Sequence, residues 1–123
     1  MVAQVFVDDA AVCVSAATAP AVAGLLGSGG RDAADVWHPG LPWAGCSILA
    51  AGSAQLAAIR QQAIDRRLLA ADMPAAAQAT RVYDDYLREL AKTHPDDLAV
   101  LAVSLIGPRN QVAKLVRHLE LLH

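Results

Sequence analysis

Asp72 is the side chain best placed in this sequence to do chemistry. It follows the apolar run Leu68–Ala71 and precedes an alanine-rich segment carrying Gln78 and Thr80. A carboxylate at a strand end can serve as a general base, or it can cap the next helix. Asp8 and Asp9 present the same choice after the run Val2–Val7. Gly107-Pro108-Arg109-Asn110 could set Arg109 and the first amides of a helix around an anion. An ordinary proline-started helix is the plainer reading there. The phosphate-loop patterns GxxxxGK and GxGxxG are absent.

The histidines stand at 38, 94, 118 and 123, and none pairs at i, i+4 with another metal-ligand type. No metal or cofactor is therefore expected. His38 lies in a segment rich in tryptophan and proline, from which it could reach a cleft. Ser15 and Ser53 lack a GxSxG elbow, so no nucleophilic triad is expected. The candidate ligand contacts are Ser15, His38, Gln78, Gly107 and Arg109, with Asp72 as the candidate catalytic group. Cys13 and Cys46 are isolated thiols without CxxC spacing. They are expected to be buried and inert.

These residues need a frame to hold them. The chain has 123 residues, a net charge of −2 and 55% apolar residues. That suits one domain with a real core and excludes a disordered chain. Near-neutral charge argues against a nucleic-acid partner. Ala10–Gly30 contains no charge at all, but it carries Ser15, Thr18, Pro20 and four glycines, and Asp8-Asp9 precede it. It reads as a core helix ending in a glycine-rich loop, not as a membrane span or secretory signal. A cytoplasmic location is expected.

Val2–Val7 and 46–51 read as strands, and 10–26 and 54–66 as helices, with Ser53 as an N-cap. Residues 31–45, with Pro39, Gly40, Pro42 and Gly45, read as a loop held by Trp37 and Trp43. Leu68–Ala71 reads as a third strand, and 75–92 as one long helix with Val82, Tyr86 and Leu90 every four residues. Leu98–Ile106 is almost wholly apolar, as in a central strand buried on both faces. A last helix carries Val112, Leu115, Val116, Leu119 and Leu122 on one stripe. Strict β-α alternation predicts a three-layer α/β sandwich. Its four strands would form a mostly parallel sheet, with helices on both faces and ligands at the carboxyl ends of the strands.

The stretch DMPAAAQATRVYDDYLREL (72–90) with LAVLAVSLIGPRNQVAKLVRHLELL (98–122) resembles a bacterial family known as domain of unknown function two thousand. That family in turn resembles the peptidyl-tRNA hydrolase II fold. The resemblance implies a mixed four-stranded sheet between helices and a homodimer. Those hydrolases carry a lysine and an AAQ..H pattern on their first helix. This chain has no Lys, Arg, His or Gln between Asp9 and Arg31. Their Asp-Ala-Gly-x-Thr-Gln order is replaced by Asp-Met-Pro-Ala-Ala-Ala-Gln at 72–78. With only two lysines, the chain is poorly equipped to grip tRNA phosphates. The expectation is a hydrolase-like domain without that activity, binding a small molecule or protein partner at the carboxyl edge of the sheet. The alternative is an enzyme on an aminoacyl or acyl ester or amide, with Asp72 as base and the amides after Gly107 holding an oxyanion.

Overall fold

In the computed structural model, residues 2–5 are described as backbone and residues 10–122 with their side chains. Asp8 and Asp9, candidates at a strand end, lie outside the described residues. Strand β1 spans Val2–Val5 and helix α1 Ala10–Ala21, with Pro20 in its last turn. A small hairpin follows, β2 at Gly30–Arg31 and β3 at Trp37–His38. Next come β4 (Cys46–Ala50), α2 (Ser53–Asp65) and β5 (Leu69–Pro74). Two short helices, α3 (Ala75–Ala79) and α4 (Tyr83–Lys92), lead through a 3-10 turn at Pro95–Asp97 into β6 (Val100–Ile106). Helix α5 (Arg109–Val116) and β7 (Glu120–Leu121) close the chain.

The main sheet has five strands in the order β5-β6-β1-β4-β7. Only β1 and β4 pair in parallel, while β1–β6, β5–β6 and β4–β7 are antiparallel. This corrects the expectation of a mostly parallel, four-stranded, hydrolase-like sheet. Alternation of strand and helix implies parallel neighbours only if each helix crosses the sheet. Helices α3 and α4 do not. The amide of Ala75, just after β5, donates to the carbonyl of Ala99, just before β6, at 2.9 Å. The chain therefore returns at the end where it left, and β6 runs back antiparallel to β5. The fifth strand comes from Glu120–Leu121, within the segment whose stripe predicts helix.

Alternation along β6 assigns its two faces to different helices. Val103 and Leu105 join Leu56, Ile59 and Ala63 of α2 and Val112, Leu115 and Val116 of α5 in the larger core. Ala102 packs instead with Ala10 and Val14 of α1 and with Met73. The Thr18 hydroxyl donates to the carbonyl of Val14 and shares a hydrogen bond of 2.9 Å with the hydroxyl of Ser104, on that same face, in which Ser104 supplies the proton. Both hydroxyls are thus satisfied where their burial would otherwise cost free energy. The alanines of α1 let it lie close to the sheet, which explains why an uncharged segment with few large side chains still packs. A register shift between Met73 and Pro74 marks a bulge at the end of the edge strand β5.

Candidate functional site

Asp72 sits within β5, opposite Val103, and not at the strand's end. Arg60 reaches it from α2, and its Nε donates to Asp72 Oδ2. The two side chains are only 21% and 23% exposed, so the pair is screened less than a surface ion pair. Beyond it, α1, β5, α3 and α4 enclose a cavity of about 350 Å³. Its lining comprises Cys13, Asp72, Met73, Pro74, Ala77, Thr80, Arg81, Tyr83 and Tyr86. That volume lies near the lower end of small-molecule sites, roughly 300–1,000 Å³.

The break between α3 and α4 makes this cavity. Thr80 and Val82 are both extended, with φ near −107° and −105°. The Thr80 hydroxyl donates back to the carbonyl of Ala76 at 2.6 Å, which closes α3. A continuous helix would have sent Arg81 along the helix surface, whereas the break puts Thr80 and Arg81 on the cavity wall. Tyr83 and Tyr86 then stand edge to face, with ring centroids 5.6 Å apart. Burial pushes the Tyr86 phenol up, and the charges of Asp72 and Tyr83 add to the effect. Tyr86 is accordingly a neutral phenol at physiological pH. Among the described residues, no acidic side chain pairs with Arg81.

The other sequence-derived candidates lie elsewhere. Gln78 is exposed on α3 and is not part of the cavity lining. Arg109 borders a hollow with Gly45, Cys46 and Ser47. Gly107 sits after the far end of β6 and faces Leu68. Because β6 is antiparallel to β5, its carboxyl end adjoins the start of β5 and lies away from Asp72. Ser15 donates to the carbonyl of Ala11 and borders a small apolar hollow with Leu25, Leu26 and Pro42. His38 is on the hairpin, where its Nε2 meets Asp32 Oδ2 at 2.9 Å. Asp72 therefore does not share a cavity with Ser15, His38, Gln78, Gly107 or Arg109.

Reasoning from sequence missed Arg60, Arg81, Tyr83 and Tyr86. The one available hint was the β-branched pair Thr80 and Val82 flanking an arginine, which weakens a helix at that point. Both cysteines are exposed, contrary to the expectation of burial. Cys13 borders the Asp72 cavity, and neighbours desolvate the Cys46 thiol enough to push it above its usual value. Among the described residues, no cluster of His, Cys, Asp or Glu could hold a metal ion. No helix among them is long and apolar enough to cross a membrane.

No curated protein matches the sequence. A solved structure described as a protein of unknown function, Atu0240 from Agrobacterium tumefaciens strain C58, is similar with a TM-score of 0.86. It is 19% identical, and the match covers 99% of this chain and 96% of that one, so the likeness speaks to fold alone. Residues 8–123 match the family described as Protein of unknown function (DUF2000), and the chain belongs to that family.

Proposed function

We propose that this protein binds a small molecule in the cavity beside Asp72 and does not cleave peptidyl-tRNA. The cavity of about 350 Å³ at the end of β5, with an ion pair and two tyrosines in or beside its wall, carries the reading. Arg60 engages Oδ2 and holds the carboxylate in place. Asp72 then acts as a fixed acceptor for a ligand donor. The enzyme alternative, with Asp72 as base, draws less support, because Gly107 and its amides lie at the other end of β6. The absence of a first-helix lysine and a net charge of −2 speak against a tRNA substrate.

A titration of isotope-labelled protein with a small-molecule library, followed by amide NMR, tests this reading. Binders are expected to shift Met73, Thr80, Tyr83 and Tyr86. Binders that perturb only the Arg109 hollow or the Ser15 hollow would sink it, as would turnover of peptidyl-tRNA by the purified protein. We also propose that the protein is a cytoplasmic homodimer. A run of exposed apolar side chains about β4 supports the pairing.

A further inference from the structure

We propose that the cavity beside Asp72 selects a small organic carboxylate on a flat apolar or aromatic body, with Arg81 receiving the carboxylate. This rests on the reading of that cavity as a small-molecule site and adds the chemistry of the occupant. Charge decides the sign. Asp72 carries one negative charge and Arg60 neutralises it. Arg81 adds a positive charge that forms no ion pair with an acidic side chain among the described residues. Of the two acids in the first turn of α4, Asp85 is engaged by Arg88, and Asp84 is outside the cavity lining. With Arg60 counted beside the lining, Asp72, Arg60 and Arg81 sum to one positive charge. A cation entering the cavity would meet Arg81 with like charge, while a carboxylate could take a forked pair of hydrogen bonds from the guanidinium.

Shape and polarity decide the rest. Met73, Pro74 and Ala77 give an apolar wall, and Tyr83 and Tyr86 offer ring faces and edges to a second aromatic ring. Tyr86 stays protonated, so its hydroxyl can donate to an anion and adds no opposing charge. The volume suits a single ring with a short substituent. A long acyl chain or a nucleotide would exceed it.

Cys13 on the cavity rim supplies a reporter that needs no catalytic activity. In a Cys46→Ser background, the rate of Cys13 alkylation is followed with benzoate, benzamide and benzylamine as probes. These share a ring and differ in charge. Benzoate is expected to protect Cys13 at the lowest concentration. Arg81→Gln should weaken that protection by about tenfold or more, the usual loss with a charge-assisted hydrogen bond. Arg81 is exposed, and an unchanged circular dichroism spectrum would confirm that the variant folds. Equal or better protection by benzamide or benzylamine overturns the carboxylate assignment while leaving the cavity a binding site. Undiminished benzoate protection in Arg81→Gln overturns the role of Arg81. If none of the probes protects Cys13, the proposal falls together with the reading it rests on.

Discussion

Single side chains in this protein do two kinds of electrostatic work. Arg60 and Asp72 fix each other where solvent is partly excluded, and the result is a rigid wall for a cavity. Asp32 organises the exposed hairpin of β2 and β3 instead. Its carboxylate accepts from His38 Nε2 at 2.9 Å and from the amides of Ala34 and Val36 at 2.9 and 3.1 Å. The His38 contact first, then those amides, hold the Asp32 carboxyl below its ordinary value of 3.8. A group whose folded value is depressed contributes stability above its unfolded value. That contribution is lost as pH falls through the folded value. The hairpin should therefore remain intact down to pH 3.8 and loosen only below it. NMR titration of the Asp32 carboxyl, read beside the Trp37 indole signal, checks this. A carboxyl midpoint at or above 3.8 would show that these contacts do not favour the charged form.

At the scale of elements, the sequence was legible wherever burial sets the period. Leu56, Ile59 and Ala63 mark the buried face of α2, and the apolar run 98–106 marks β6 as central. It was not legible where local preference and periodicity disagree. Val82, Tyr86 and Leu90 keep helical spacing, yet none is fully buried, so packing does not force the helix through Thr80-Arg81-Val82. Ser53 has the chemistry of an N-cap, but Gly52 occupies that position, and its amide donates to the Gln55 side chain at 2.8 Å. The site was half legible for the same reason. Asp72 was visible from its place after an apolar run, whereas its partners come from another helix and from a break that periodicity hides. Residues 22–45 are likewise more constrained than a proline- and glycine-rich loop suggests. The indole of Trp43 donates to the carbonyl of Gly24 at 2.7 Å, and the Gly27 amide donates to Leu41 at 2.8 Å. A Cβ on Gly40 would lie 1.8 Å from the backbone oxygen of Gly27, whereas one on Gly30 would meet nothing within 4 Å. Gly40→Ala should cost about 1–3 kcal/mol, the usual range for overpacking. Gly30→Ala should be close to neutral. Urea unfolding of the two variants compares them, and equal midpoints would mean that the loop does not pack as described.

At the scale of the whole molecule, the uneven cover of the sheet matters most. On β4, Leu49 is buried against α2 and α5, while Cys46 and Ile48, on the opposite face, stay exposed. The apolar surface continues from there. Leu26 borders the same hollow as Cys46, and the Leu122 amide donates to the Ile48 carbonyl. Leu41 and Trp43, each 77% exposed, stand on the neighbouring loop. Exposed apolar side chains gathered in this way on a small protein support the proposal of an association site. A second copy is the proposed occupant. Because this face is formed by β4, β7 and the loop, pairing there would leave the Asp72 cavity, at the β5 edge, open to its ligand. Ile48→Lys would place a charge in the middle of the paired surface without touching the core beneath. Sedimentation should find the unaltered protein dimeric and Ile48→Lys shifted towards monomer by at least about tenfold in dissociation constant, as expected for a charge forced into an apolar interface. Thermal unfolding of the two should differ only as far as the lost association requires. A monomeric parent protein at high concentration would rule out the pairing, and an Ile48→Lys dimer of unchanged strength would move the interface to another face.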